Sequence, residues 1–317
     1  GPSGQFILQP HSEFLPHIVW LASFPNSGTS YTMHLVAQSS NTSFATNYGN
    51  KVTPPEAPHS LSIDPRRPEG PFWPGLSGIM STPRPLPDKY VITKTHCGSY
   101  CNKCGPDEYI ITPKTFLQKC AVGQAWLTPA KQRRKYCVEY PPQDRVQKVI
   151  HLYRNPLHNI IARYHLFLRN AGPIYSNNTS WTAAHANNAV GLHLYCRDFY
   201  VKYRSQDLKF WGSQQNIPTT PCHGEFYKWT HWHNRIHEAI DLLHSTITDE
   251  DTDEEEETPT GETKKLKPIP IHTLYYEDYN GSKLNTTAQG ILEFLELTQV
   301  SPFCRDFQSR SDYDHYF

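Results

Sequence analysis

The sequence predicts an α/β fold, a mostly parallel central sheet flanked by helices, and three observations carry that expectation. Four short apolar runs, Ile18 to Phe24, Tyr90 to Thr95, Val146 to Tyr153 and Ile269 to Tyr276, have the length and composition of buried strands. Helical stretches alternate with them: Tyr31 to Gln38, Pro156 to about Arg169, Ala183 to Tyr203, Gly224 to His244 and Thr286 to Leu297. Three of the strands run straight into residues suited to chemistry, and ligands of such sheets gather at the carboxyl ends of strands. Those residues are SFPNSGTSY at 23–31, KTH at 94–96 and RNP at 154–156.

Pro25 stops the first strand, and Ser27-Gly28-Thr29-Ser30 then sets a glycine and three hydroxyls ahead of a helix. The first amides of a helix lack intrahelical partners and sit at the positive end of its dipole, so this turn can cradle an anion. A tight turn capped by a hydroxyl is the plain alternative.

At 317 residues and 36.5 kDa the chain suits one large domain, expected over 18–317. Residues 1–17 read as an N-terminal segment opening on Gly1-Pro2-Ser3-Gly4, which has the look of a cleavage scar, and the expectation is that a targeting segment or membrane anchor was cut away there. No run approaches the roughly 20 apolar residues of a spanning helix. Ten prolines between Pro54 and Pro87 rule out a long helix or a central strand there, so 41–88 reads as an ordered, site-lining insertion pinned by Phe72 and Trp73. Residues 107–140 give mixed signals, with a helix start at Thr112-Pro113-Lys114. Of the 30 acidic residues, eight lie between Asp249 and Glu257, the heart of a mobile acidic loop over 248–267. The rest of the chain then carries 30 bases against 22 acids, which suits an anionic ligand. Nucleic acid is not the expected partner: the cluster Lys131, Arg133, Arg134, Lys135 is short and has no recognition module around it.

Eight cysteines fit up to four disulfides, with pairing left open. A zinc site built on Cys97, Cys101 and Cys104 is the rival reading. Asn41, Asn177, Asn178, Asn280 and Asn285 each open an N-x-Ser/Thr sequon. Cysteines and sequons together point to the secretory pathway.

From Ile18 to about Leu297 the chain resembles the sulfotransferases that use 3′-phosphoadenosine 5′-phosphosulfate (PAPS). Four motifs carry the resemblance, in the family's order. They are the S-F-P-x-S-G-T-x-aromatic turn, the strand ending in K-T-H, the R-N-P helix start leading to Tyr164-His165, and Leu274-Tyr275-Tyr276-Glu277-Asp278 before Ile291-Leu292-Glu293-Phe294-Leu295. The resemblance implies a P-loop-like nucleotide-binding core with long insertions. It implies transfer of a sulfuryl group to a hydroxyl of a glycan or of a small alcohol or phenol, release of 3′-phosphoadenosine 5′-phosphate (PAP), and no metal. Ser27, Gly28, Thr29 and Ser30 would hold the 5′-phosphosulfate and Tyr31 would stack on adenine. His96 would be the general base, with Lys94 two residues before it on the same strand face stabilising the transferred group. Arg154 would grip the 3′-phosphate with its planar fork, and Glu277 and Asp278 would orient structure near the site. In a luminal enzyme of this kind the Golgi is the expected compartment, with a cytoplasmic enzyme as the alternative. The oligomeric state is left open.

The chain also departs from the family's pattern. Asn26 stands where the family has a lysine on the leaving group, and Ala162 where a serine binds the 3′-phosphate, with Arg163 beside it as a substitute. The C-terminal Arg-Lys-Gly segment is missing, leaving Arg305 and Arg310. Two alternatives follow, a catalytically silent binding protein and a P-loop kinase, although the Gly-Lys-Ser/Thr ending of the latter is absent.

Overall fold

The first apolar run forms β1 (His17–Ser23), and every side chain from Ile18 to Ser23 is buried. The chain is seen in a computed structural model that describes residues 16–48, 60–62, 84–85, 87–98, 112–127, 134–250 and 268–301. After β1 come α1 (Thr29–Ser40), β2 (Phe44–Thr46), β3 (Ser60–Ser62) and β4 (Tyr90–Thr95). Then follow α2 (Pro113–Cys120), the antiparallel pair β5 (Val122–Leu127) and β6 (Arg134–Glu139), α3 (Pro142–Arg145) and β7 (Val146–Tyr153). Helices α4 (Pro156–Tyr175), α5 (Thr179–Ala184), α6 (Ala189–Trp211) and α7 (His223–Glu250) precede β8 (Ile271–Tyr275) and α8 (Leu284–Phe294).

Among the described residues the main sheet has six strands in the order β3-β2-β4-β1-β7-β8, all parallel. Alternation along β1 divides the core between its two faces. Ile18, Trp20 and Ala22 pack with Phe116 of α2 and Trp232, Ile236 and Ile240 of α7. Val19 and Leu21 pack with Met33 and Val36 of α1 and Ile291 and Leu292 of α8. A strand covered on both faces must be apolar throughout, which is why this run shows no polar alternation. The chain leaves β1 for one side of the sheet through β2 to β4, then crosses to the other through β7 and β8. The switch point falls beside β1.

Several sequence expectations need correction. The insertion 41–88 contributes β2 and β3, and β2 lies inside the sheet between β3 and β4. Both are three residues long and avoid the prolines, β2 preceding Pro54 and β3 fitting between Pro58 and Pro65, so their amides remain for the ladder. Most of that insertion, with Phe72 and Trp73, lies outside the described residues. The helix expected from Ala183 to Tyr203 is two helices, because the Asn188 side chain accepts from the Gly191 amide (3.0 Å) and starts α6 afresh. Helix α4 continues past Arg169 to Tyr175 and accommodates Pro173 in its last turn. Helix α7 carries Asp249 and Glu250 at its end, and 251–267 lies outside the described residues. Within 107–140 the described residues form α2 and the antiparallel pair β5–β6. Thr112 caps α2 at the Thr115 amide (3.2 Å), with Pro113 first in the helix, as expected.

Among the described residues two disulfides form, Cys97–Cys120 and Cys196–Cys222. They fit an oxidising, secreted or lumenal compartment. Cys97 is thereby removed from the zinc reading, while Cys101 and Cys104 lie outside the described residues. No described helix is long and apolar enough to cross a membrane.

Between β7 and α7 two fully enclosed histidines meet, with 2.7 Å between His151 Nε2 and His233 Nδ1. Burial, and then the neighbouring histidines, hold His151 down to about 2 and His233 to about 3. The unfolded chain takes up these protons near pH 6.5 and the folded one does not. Their contribution is therefore complete above pH 6.5 and lost as pH falls toward 3, by at most about 1.4 kcal/mol per pH unit for each histidine. Urea unfolding at pH 7.5 and pH 5 is expected to show a clear loss at pH 5 that His233→Phe reduces. An equal loss in both proteins would contradict this account of the pair.

Candidate functional site

The ends of β1, β4 and β7 are in register, with Ala22 opposite Thr95 and Ser23 opposite Leu152. The segments following these strands therefore converge at one end of the sheet, as the sequence predicted. The turn after β1 uses two residues in the left-handed region, Asn26 (φ 67°) and Gly28 (φ 103°). Asparagine tolerates that region; at 28 glycine is required twice over. A Cβ there would lie 2.2 Å from the ring of Tyr276, which closes over the turn from the end of β8.

Asn159 of α4 holds the turn from beneath. Its Nδ2 donates to the Pro25 carbonyl (2.9 Å) and to Ser27 Oγ (3.1 Å). Of the three cradle hydroxyls, Ser27 and Thr29 are buried and Ser30 is partly exposed. Ser27 faces α4 rather than the strand ends, which the sequence did not anticipate. Gly28 is the N-cap of α1, and no side chain caps that helix.

Two cations reach the turn from opposite sides. Arg154 donates from Nη1 to the Asn26 carbonyl (2.8 Å), and its guanidinium lies 4.5 Å from the centre of the Tyr276 ring. Lys94 places Nζ 3.4 Å from Ser30 Oγ. Tyr31 packs among tyrosines, 5.0 Å from the ring of Tyr279 and 6.4 Å from that of Tyr276.

His96 follows β4 with 3% of its surface exposed. Its Nδ1 lies 2.7 Å from the Ser23 carbonyl, and a carbonyl can only accept, so the proton sits on Nδ1 and the lone pair on Nε2. The Tyr48 hydroxyl accepts from the His96 amide and its ring stacks on the imidazole (5.4 Å, 24°). Trp232 Nε1 donates to the His96 carbonyl (3.0 Å). Burial, then the charge of Lys94, pushes the imidazole down to about 3 against the pull of the Ser23 carbonyl. His96 is therefore neutral at pH 7. The adjoining Cys97–Cys120 bridge ties this loop to the end of α2, a closure worth about 3 kcal/mol by chain entropy.

Arg163 does not take the place of the missing serine. It is 2% exposed, with its guanidinium over Phe24 (5.2 Å) and Nε 2.5 Å from Glu225 Oε2. Lys228 completes the cluster, 2.9 Å from Glu225 Oε1. Burial opposes the Glu225 charge, but Arg163 and Lys228 outweigh it and hold the carboxylate near 2. Arg163 is drawn to the buried Glu225 carboxylate of α7, while its charge still reaches His96. Glu277 Oε1 accepts from the Asn155 amide (2.9 Å) at the start of α4, and Asp278 pairs with Lys283 (2.7 Å).

Asn159 and Tyr48 were not singled out from the sequence, and Ser23 and Tyr276 appeared there only as members of motifs without a role. The only signal for Asn159 is its spacing, one helical turn after Asn155, which puts both at the end of α4 that meets the strand ends. A cleft of about 510 Å³ lined by Lys114, Leu117, Tyr140, Pro142 and Gln143 lies beside the start of β7, at the other end of the sheet. None of these charged groups lines it, so the convergence of charges and not cavity size marks the candidate site. No model of a known protein family and no curated protein matches the chain.

Gly28→Ala is expected to lower stability by more than the about 1 kcal/mol that a left-handed alanine costs, because Tyr276 must also move. Asn159→Ala leaves the Pro25 carbonyl and Ser27 without their donor, and is expected to cost about 1–3 kcal/mol in denaturant unfolding. A neutral result at either position would show that the turn does not depend on these contacts.

Proposed function

We propose that the chain is a PAPS-dependent sulfotransferase acting on a hydroxyl acceptor, a glycan or a small alcohol or phenol, in the lumen of the Golgi. The observation that carries this reading is the meeting, at the strand ends, of a glycine turn flanked by Arg154 and Lys94 with a neutral histidine. Sulfuryl transfer asks chiefly for positioning, in-line geometry and charge stabilisation, as phosphoryl transfer does. The residues present fit an anionic nucleotide donor, which supplies the sulfuryl group. The turn and Ser30 would hold its 5′ anion, with Lys94 and Arg154 on either side. Arg154, held on the Asn26 carbonyl, would then serve the 5′ anion rather than the 3′-phosphate that the resemblance gave it.

Asn26 supplies no charge, and the two cations answer that departure. Arg154 is anchored on the Asn26 carbonyl, and Lys94 reaches Ser30. His96 would take the acceptor proton at Nε2, with Nδ1–H held by Ser23. A pKa near 3 is low for a general base at pH 7. A bound polyanion raises it, since it opposes the Lys94 charge that helps depress it.

Transfer of labelled sulfuryl from PAPS to a panel of glycans, phenols and alcohols tests the reading. Turnover is expected, and His96→Ala should reduce it at least about 100-fold while PAP binding survives. Full turnover in His96→Ala would remove the mechanism, and magnesium-dependent ATP consumption in place of transfer would favour the kinase. The neutral side chain at Asn26 favours a second reading, a silent binding protein. PAP binding without transfer to any acceptor would select it.

A further inference from the structure

The short turn between α4 and α5 carries two overlapping sequons, Asn177-Asn178-Thr179 and Asn178-Thr179-Ser180. All five sequon asparagines of the chain lie at exposed positions. Only Asn177 has an aromatic residue two positions before it, Tyr175, 44% exposed. Tyr175 is the outer end of a continuous stack. Its ring lies 5.0 Å from Trp181 at 22°, and Trp181 lies 4.5 Å from His185 at 18°. Phe167 joins that stack to Tyr195 and Tyr164 in the core beneath α4 and α6.

The two asparagines are not equivalent. The Asn178 amide donates to the Tyr175 carbonyl (2.9 Å), and Oδ1 of Asn178 accepts from the Trp181 amide (2.9 Å), starting α5. This leaves Asn177 at the tip of the turn. A half-exposed aromatic ring two residues before such a tip lies within reach of a sugar attached there, and an aromatic face takes the C–H face of a sugar ring.

We infer that Asn177 is an N-glycosylation site whose first N-acetylglucosamine covers the Tyr175 end of this aromatic stack. The inference rests on the lumenal compartment and not on the enzymatic reading. In the modification the Asn177 amide nitrogen bonds to the anomeric carbon of the sugar. The bond from that carbon to the pyrophosphate of a lipid-linked oligosaccharide breaks, the lipid pyrophosphate departs with the electron pair, and the amide gives up one proton to the membrane transferase. The sugar then removes exposed ring surface from water, which stabilises the α4–α5 corner.

The test uses the full chain carried through the secretory pathway of a eukaryotic cell. Enzymatic deglycosylation in heavy-oxygen water, read by peptide mass, is expected to mark Asn177 in most molecules. In protein trimmed to a single N-acetylglucosamine, the sugar protons should shift upfield in the ring current of Tyr175, and Tyr175→Ala should abolish the shift while the glycan remains. An unmodified Asn177, whether the other sequons are occupied or not, would overturn the inference. So would a sugar whose resonances are the same with and without Tyr175.

Discussion

The reversal from β1 into α1 is the constraint on which the rest of the site depends. The chain turns within Pro25 to Gly28 by placing Asn26 and Gly28 in the left-handed region, a conformation with an intrinsic cost. Three side chains, from two parts of the chain, hold it there. Asn159 of α4 bonds the turn from below, Arg154 clamps the Asn26 carbonyl, and Tyr276 lies against Gly28. Each supporting residue follows or belongs to an element at the carboxyl end of β7 or β8. The parallel register of the sheet is therefore what assembles the turn.

Charge around the site is arranged in two tiers. Arg154 and Lys94 act at the turn, where an anion can meet them. Arg163 and Lys228 are enclosed and paired with Glu225, a pairing that offsets part of their desolvation. His96 stands within the field of both Lys94 and Arg163, and burial adds to their effect. Deprotonation wins decisively over the attraction of the Ser23 carbonyl. The result is an uncharged imidazole with a defined tautomer, set beside a positively charged turn.

The strands were legible because each is an uninterrupted apolar run bounded by breakers, and their ends disclosed the turn, His96 and Arg154. Helix starts were legible where a side chain caps them, as at Thr112 and at Asn155, whose Oδ1 accepts from the Leu157 amide. The short strand β2 was not, because three residues carry too little pattern and the following prolines dominate the reading. Arg163 misled for a different reason. Sequence places it on the correct helix but does not reveal that Glu225, 62 residues later, takes its charge. Asn159 escaped notice because its role exists only once β1 and α4 are side by side.

The central claim is that the turn binds a nucleotide anion through Arg154 and Lys94. Calorimetric titration of the intact chain with PAP tests it most directly, alongside Arg154→Gln protein whose fold is verified by circular dichroism. The account predicts saturable binding that the substitution weakens at least about tenfold, a loss of about 1.4 kcal/mol. Absence of binding by the folded wild-type protein, or equal affinity in the two proteins, would contradict it.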